Sequence, residues 1–199
     1  LTLYPHSSES HLLHYPNIEF TQLQAESMKT PQLIEEISSD DSENESKKLD
    51  NLISLAKEKY SIDGIVHGGI LSEYQKNNFS LICEKNHLEI ISPLWNKEPE
   101  SYMKELLNEN FEYIISTVSS DGLNDSWLGR IIDKNGLDEL QKLQKKFRFN
   151  LNFEGGEAET FVTNCPLFEK RLLIQDSITE WDGYRGRFEI LGAKLKDNA

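Results

Sequence analysis

Between residues 49 and 118, segments that favour helices alternate with short apolar runs that favour strands. This alternation constrains the fold more than any other feature of the chain. The predicted helices cover residues 49–56, 73–86 and 102–108, and the predicted strands cover residues 62–66, 88–91 and 113–118. Repeated about every 25 residues, this order is typical of a parallel β-sheet flanked by helices.

After Gly136 the pattern changes. A helix is predicted over residues 137–147, and shorter β-like runs follow at 160–163, 171–175 and 187–191. The sequence therefore predicts an α/β fold in two parts: a parallel sheet with flanking helices over residues 1–132 and a smaller mixed α+β part over residues 133–199. A polar stretch with Ser7, Ser8 and Ser10 lies near the beginning of the sequence. Residues 38–48 are interpreted as a solvated loop that runs into a helix start, with disorder as the alternative.

The charge and composition exclude several classes of protein. A net charge of −13 argues against a protein that binds nucleic acid through phosphate contacts, because an acidic surface repels a polyanion. No apolar run approaches the roughly 20 residues that span a bilayer, so we expect a cytoplasmic protein without a membrane partner. Cys83 and Cys165 lack metal-site spacing, and we interpret both as small buried hydrophobic residues.

Loops after predicted parallel strands are the places where such sheets bind ligands. The first of these loops contains Gly68, Gly69 and Ile70, a weak match to a phosphate-binding turn. Polar side chains follow it on the first helical turn, where backbone N–H groups favour anions: Ser72, Tyr74 and Gln75. The next loop contains Pro93, Leu94 and Trp95, which alone indicate no more than a strand end beside a core tryptophan.

The run Glu154-Gly155-Gly156-Glu157-Ala158-Glu159-Thr160 is the most unusual in the chain. Its glycines let the backbone approach a ligand closely. Its three carboxylates would repel one another unless a cation lies between them, such as Mg²⁺, an ammonium group or an arginine. A polar turn without a ligand explains the run equally well, and the residues alone leave both interpretations open.

A second polar run, Asp125-Ser126-Trp127-Leu128-Gly129-Arg130, lies in the predicted loop 119–130. Arg130 could hold a phosphate or a carboxylate through its two-pronged guanidinium. From the residues alone we favour the simpler interpretation, in which Asp125 caps a helix and Trp127 packs in the core.

Taken in order, these motifs resemble one protein family. Gly68-Gly69-Ile70, Pro93-Leu94-Trp95, the Asp125–Arg130 run, the Glu154–Thr160 run and Pro166-Leu167-Phe168 are together similar to the diphthine–ammonia ligases. This family belongs to the PP-loop ATP pyrophosphatase superfamily, also described as adenine nucleotide alpha-hydrolases. The resemblance extends from about His14 to Phe168.

The resemblance implies a Rossmann-like PP-loop domain that uses ATP with Mg²⁺. It also implies a reaction in which diphthine, a modified histidine of translation elongation factor two, becomes diphthamide with ammonium, releasing AMP and pyrophosphate. Catalytic roles would fall to Glu154, Glu157, Glu159 and Arg130, and ATP contacts to Gly68, Gly69, Ile70 and Ser72. The implied substrate contacts are Tyr74, Gln75, Pro93, Leu94, Trp95, Ser126, Trp127, Gly129, Gly155, Gly156 and Thr160.

Two hypotheses follow from this implied chemistry. Diphthine carries a quaternary ammonium group, which favours aromatic faces, so Tyr74, Trp95 and Trp127 are candidates for an aromatic cage. The chain has no room for a glutaminase domain, so we expect free ammonium as the nitrogen donor.

One departure from the family pattern is important. The family's phosphate-binding S-G-G-x-D-S loop is absent, so we expect an incomplete nucleotide domain that binds ATP poorly on its own. Two alternatives stay open: a PP-loop enzyme that adenylates another substrate such as a tRNA base, and a non-catalytic nucleotide-binding module. The sequence also leaves assembly into a homo-oligomer open.

Overall fold

A computed structural model describes residues 1–5, 16–37 and 42–198. Three features of the sequence lie outside this described part. They are the polar stretch with Ser7, Ser8 and Ser10, the start of the family resemblance at His14, and residues 38–41 of the predicted solvated loop.

The described residues form helices and strands close to most of the predicted positions. In chain order these are β1 (Thr2–Tyr4), α1 (Thr21–Ser27), β2 (Ile34–Glu36), α2 (Ser42–Tyr60), β3 (Gly64–Val66), α3 (Glu73–Lys85), β4 (Glu89–Ile91), α4 (Pro99–Asn108), β5 (Glu112–Val118), α5 (Lys134–Phe147), β6 (Ala158–Asn164), β7 (Lys170–Trp181) and β8 (Gly186–Asp197). Short 3₁₀ helices add Ile18–Phe20 and Asp125–Trp127. None of the described helices is long and apolar enough to cross a membrane.

The chain divides into two compact units. The first contains Leu1–Tyr15 and Gln32–Lys97, and the second contains Pro16–Pro31 and Glu98–Ala199. This division lies well before the domain boundary that the sequence predicts between residues 132 and 133. The difference arises because β5, predicted to belong to the first domain, pairs with strands of the second unit.

The first unit contains the parallel strands. β1 pairs with β2, and β3 pairs with β4, both in parallel, which confirms an α/β fold with a small parallel component. The apolar face of α2 packs into one core with residues of α3 and with residues in or next to the strands. This core contains Leu3, Ile37, Leu49, Leu52, Ile53, Ile82, Cys83 and Leu88. Helix α2 begins at Ser42, so the predicted helix start falls within residues 38–48. Glu43 and Glu45 lie in its first turn, where negative charge is favourable.

The second unit is built on an antiparallel sheet with the strand order β6-β5-β8-β7. β5 is its most buried strand, with Ile114 and Ile115 at 1% and 0% exposure. The prediction that the strand at 113–118 joins a parallel sheet is therefore wrong. Residues 113–116 are consecutively buried, which shows that both faces of β5 are covered, but burial alone does not determine strand direction.

Residues 16–31 precede most of the first unit in the chain and yet belong to the second. The amide of Asn17 donates to Phe188 O at 3.0 Å, and its oxygen accepts from Ile190 N at 2.8 Å, so this side chain pairs with β8 as a strand would. Ser27 similarly bonds both backbone groups of Lys170 on β7. These side chains satisfy strand edges that would otherwise be open.

Candidate functional site

The loop that follows β3 in the first unit is organised by a buried histidine. His67 is 6% exposed, and its ring stacks on Phe79 with the centroids 5.2 Å apart. The Nδ1 atom accepts a hydrogen bond from Gly69 N at 3.2 Å, so the ring proton lies on Nε2, which is 2.6 Å from Ser92 Oγ. His67 therefore ties the loop after β3 to the residue that follows β4.

The same histidine is held in its neutral form. Burial lowers the pKa of His67 below its ordinary value, and the positive charge of Lys76 lowers it further. The two loops are also joined through the backbone, since Asn96 N donates to Ile70 O at 2.9 Å. The carboxyl ends of β3 and β4 thus carry one connected pair of loops.

Positive charge lies at the start of α3, beside these loops. Ser72 caps the helix by accepting from Gln75 N at 3.3 Å. One turn later, Lys76 Nζ lies 4.0 Å from the centre of the Trp95 ring. A lysine, an aromatic ring and a helix N-terminus are groups that suit a nucleotide's phosphates and base.

The predicted residues of this loop pair differ in accessibility. Gly68 is exposed, and a Cβ added there would meet nothing within 4 Å, so a ligand could approach its backbone. Ile70 is only 3% exposed and acts through its carbonyl rather than its side chain. Tyr74 is 47% exposed, whereas Trp95 is half-buried under Lys76. Pro93 is exposed and Leu94 is half-buried.

In the second unit, three connections meet at one edge of the sheet. Val118 at the end of β5 pairs with Ala158 at the start of β6 and with Gly186 at the start of β8. Gly186 also pairs with Trp181 at the end of β7. The loop before β6, the loop after β5 and the turn between β7 and β8 therefore lie side by side.

Glu157 closes the loop before β6. Its Oε1 accepts from Asn150 N at 2.7 Å and its Oε2 from Gly155 N at 2.9 Å. A Cβ on Gly155 would lie 2.6 Å from Oε1, so a larger residue at this position would displace the Glu157 carboxylate from these bonds. Ser119 N donates to Glu157 O at 2.8 Å, which fixes this loop to the end of β5. Two backbone N–H groups therefore stabilise the carboxylate of Glu157.

The other carboxylates of this motif are placed differently. Glu154 is half-buried, and its negative charge, second to burial, raises the pKa of Tyr102 on α4. Glu159 lies on β6 opposite Thr117, and Thr160 lies opposite Ile115. No group of three or more His, Cys, Asp or Glu side chains in the described residues is arranged to hold a metal ion. The carboxylates of the Glu154–Thr160 run therefore do not form a Mg²⁺ site by themselves.

In the loop after β5, the 3₁₀ helix Asp125–Trp127 is capped by a different residue from the one that the sequence predicts. Asn124, not Asp125, accepts from Ser126 N at 3.1 Å and from Ser126 Oγ at 2.6 Å. Asn and Asp compete closely for this role, so composition could not separate them. Asp125 and Asp121 are exposed and give this loop negative charge.

Trp127 is a core residue. It is 4% exposed and packs among the apolar side chains beneath the sheet, and the guanidinium of Arg130 lies 4.5 Å from its ring centre. In this conformation its ring faces are not available to a ligand, which favours the core interpretation over the proposed aromatic cage for this residue.

Arg130 does hold a carboxylate in a bidentate fork, but the carboxylate is that of Glu139 on α5. The two N–O distances are 2.8 and 2.9 Å. This pairing raises the pKa of Arg130 and lowers the pKa of Glu139. A ligand anion at Arg130 would have to displace Glu139.

Gly129 is required by two independent features. Its φ is +72°, a conformation that favours glycine, and a Cβ at this position would lie 2.4 Å from the Phe188 ring on β8. Its N–H donates to Ile115 O at 2.9 Å. The glycine therefore lets the loop after β5 lie against both β5 and β8.

Several residues at these places were not predicted from the sequence. They are His67, Ser92 and Lys76 in the first unit, and Ser119, Asn150 and the turn Asp182–Arg185 in the second. Asp182 and Gly183 indicate a turn, but no local signal shows that it lies beside the loop before β6. That position depends on antiparallel pairing between strands distant in sequence.

Both cysteines are buried, as predicted, and burial raises the pKa of the Cys83 thiol. The Cys83 thiol therefore lacks the lowered pKa of a reactive cysteine.

Comparison with known protein families matches almost the whole chain. The sequence profile of the diphthamide synthase N-terminal domain matches residues 1–90, and that of the diphthamide synthase C-terminal domain matches residues 98–195. The interval between the two matches coincides with the structural division between Lys97 and Glu98.

Similar individual proteins are diphthine–ammonia ligases. The protein from Bos taurus is 36% identical over 135 residues, which cover 67% of this chain and 50% of that protein. The protein from Homo sapiens is 35% identical over the same shares of both chains. The protein from Saccharomyces cerevisiae is 28% identical over 171 residues, covering 77% of this chain and 24% of that protein. The aligned region thus spans about half the length of the two mammalian relatives.

Proposed function

Because this chain belongs to the diphthamide synthase family, we propose that the complete protein is an ATP-dependent ligase that converts diphthine on elongation factor two to diphthamide. Ammonium supplies the nitrogen, and AMP and pyrophosphate are released. The observation that carries this proposal is the match of both family domains, in order, to residues 1–90 and 98–195. The curated relatives named above carry the corresponding activity in their names.

The chemistry explains why ATP is needed. A carboxylate resists attack by ammonia because it is already negatively charged. Its oxygen instead attacks the α-phosphorus of ATP, and pyrophosphate leaves. Ammonia then attacks the carbonyl carbon of the resulting acyl adenylate, AMP leaves with the bonding electrons, and the nitrogen loses a proton. The protein mainly positions these groups and neutralises phosphate charge.

The loops of the first unit suit the nucleotide. The exposed Gly68 backbone, the first turn of α3 and the ammonium of Lys76 favour phosphate oxygens. Gly69, Ile70 and Ser72 support this role by fixing the loop. Because the chain has no S-G-G-x-D-S sequence, we expect the described chain alone to turn over no ATP. We further propose that Mg²⁺ arrives bound to the phosphates of ATP, as it often does.

The sheet edge of the second unit suits the cationic end of diphthine. Asp121, Asp125 and Glu154 lie in the loops at this edge and would attract a quaternary ammonium. Glu159 completes the proposed acidic set, while Glu157 and Arg130 hold the loops in place. Within the first unit, Tyr74 and Trp95 stay proposed as aromatic contacts for a substrate. The other substrate contacts proposed from the family motifs are Gln75, Pro93 and Leu94 in the first unit and Ser126, Gly129, Gly155, Gly156 and Thr160 in the second.

Partner and compartment follow from the substrate. Elongation factor two would be the protein partner, and its role in translation places the reaction in the cytoplasm. The acidic charge of the chain again argues against nucleic acid as the substrate.

The test uses the complete protein with ATP, ammonium and elongation factor carrying diphthine. We expect release of AMP and pyrophosphate only when the factor is present. Glu154→Gln should reduce this release at least tenfold, whereas Asp138→Asn, which changes an exposed carboxylate on α5, should not change it. AMP release that does not depend on the factor would favour another adenylated substrate, and no AMP release would favour a nucleotide-binding module.

A further inference from the structure

We propose that the turn Asp182–Arg185 between β7 and β8 docks the protein substrate beside the candidate site, through Tyr184 and Arg185. This inference rests on the proposed function. The turn lies beyond the motifs that carry the family resemblance, the last of which ends at Phe168, but inside the match to the C-terminal family domain, residues 98–195. Its role is inferred from strand register, exposure and local rigidity.

Strand register places the turn next to the Glu154–Glu157 loop. Trp181 and Gly186, which flank the turn, pair with each other, and Gly186 also pairs with Val118. Val118 pairs in turn with Ala158, the residue that follows Glu157. Along the sheet edge, only β5 lies between β8, which follows the turn, and β6, which follows the Glu154–Glu157 loop. Neighbouring strands are about 5 Å apart.

The loop after β5 is packed against the same hairpin. A Cβ on Gly186 would lie 2.8 Å from Leu128, and a Cβ on Gly129 would lie 2.4 Å from Phe188. The start of β8 thus touches the Asp125–Arg130 run directly. A partner that contacts both this run and the Glu154–Glu157 loop would also cover the turn.

The turn presents residue types that dominate protein interfaces. Tyr184 is 49% exposed and Arg185 is also exposed. Tyrosine and arginine are enriched among the residues that contribute most to binding. ATP and ammonium are small, so a surface beyond the reacting groups is needed only by a macromolecule. On a chain with a net charge of −13, Arg185 offers a local cation for a carboxylate or carbonyl group of that macromolecule.

The turn is rigid before any partner binds. Asp182 Oδ1 accepts from Tyr184 N at 2.8 Å and from Arg185 N at 2.6 Å, and Asp182 N donates to Arg185 O at 3.0 Å. Gly183 adopts a φ of +103°. A preorganised contact loses less entropy on binding. Because these bonds use backbone atoms of Tyr184 and Arg185, both side chains can be replaced without removing them.

The experiment measures steady-state kinetics of the complete protein with Tyr184→Ala, Arg185→Ala and the control Leu173→Ala. Leu173 is exposed on β7 but lies away from the turn. We expect each turn variant to raise KM for the elongation factor at least about tenfold, since loss of an interface hot spot commonly costs more than that. The kcat and the KM values for ATP and ammonium should not change, and Tyr184→Phe should retain most of the affinity.

Different results would contradict the proposed ligase activity and the proposed docking surface. Wild-type protein that releases no AMP contradicts the proposed function, and binding of the factor is then measured directly by interferometry. Weaker binding by Tyr184→Ala and Arg185→Ala than by wild type still supports the docking surface. Equal KM or equal binding for these variants and wild type overturns it, provided that their circular dichroism spectra match.

Discussion

Substitution of Gly129 by alanine should destabilise the second unit through two separable effects. The first is backbone strain, because a non-glycine residue at φ +72° costs about 1–2 kcal/mol. The second is overpacking, because the new methyl group would lie 2.4 Å from the Phe188 ring, and relief of such a contact costs about 1–3 kcal/mol. We expect a total loss of about 2–5 kcal/mol.

Gly156 provides a matched control within the same sheet edge. Its φ is +77°, but a Cβ there would meet nothing within 4 Å. Gly156→Ala should therefore cost only the strain of about 1–2 kcal/mol. The difference between the two variants isolates the contact with Phe188.

Urea unfolding followed by tryptophan fluorescence measures this difference. In a Trp95→Phe background, both remaining tryptophans, Trp127 and Trp181, lie in the second unit. With a slope of about 2 kcal/mol per molar urea, the Gly129→Ala midpoint should lie about 1 M below that of Gly156→Ala. Adding Phe188→Leu to Gly129→Ala should recover part of the loss. Equal midpoints for the two alanine variants would refute the packing explanation.

Three further predictions concern the polar groups. The pKa of His67 is lowered in the folded state, so as the pH drops below the ordinary value of 6.5 this side chain takes up a proton first in the unfolded state. The free energy of unfolding should therefore fall as the pH drops below that value. In the His67→Gln variant, the urea midpoint should fall less over the same pH range. Glu139 also has a lowered folded pKa, so the contribution of its pair with Arg130 is present above about pH 4.3 and lost as the pH falls below it; Glu139→Gln should reduce the acid dependence there, and an unchanged acid profile would argue against the pair. Glu157→Gln should lower the unfolding free energy by about 1–2 kcal/mol and accelerate amide hydrogen exchange at Gly155, whereas unchanged exchange would mean that the carboxylate does not hold the loop.

Element positions could be predicted because they depend on local periodicity. The apolar face of α2 and the short runs of β3 and β4 are visible within a few residues of sequence. The direction of β5 could not be predicted in this way. Its partners β6 and β8 begin at residues 158 and 186, and a run buried on both faces suits either a parallel or an antiparallel sheet.

In the candidate site, the hydrogen-bond partners of the polar residues could not be predicted from local sequence either. The sequence singles out Arg130 and Glu157 by residue type and motif, but it does not show that Glu139 and two backbone N–H groups satisfy them. For Trp127, the residues alone favour a core position, and its 4% exposure confirms that interpretation. Charge and hydrogen-bond partners are non-local, whereas hydrophobicity is a property of the residue itself.

The proposed ligase activity is tested most directly by following isotopically labelled ammonium into the elongation factor. The complete protein is incubated with ATP, labelled ammonium and diphthine-bearing factor, and the modified peptide is analysed by mass spectrometry. The family assignment and the acidic sheet edge predict one labelled nitrogen at the diphthine carboxyl position, formed only with ATP. An unlabelled peptide, in a reaction where ATP is nevertheless consumed, would contradict the proposed function.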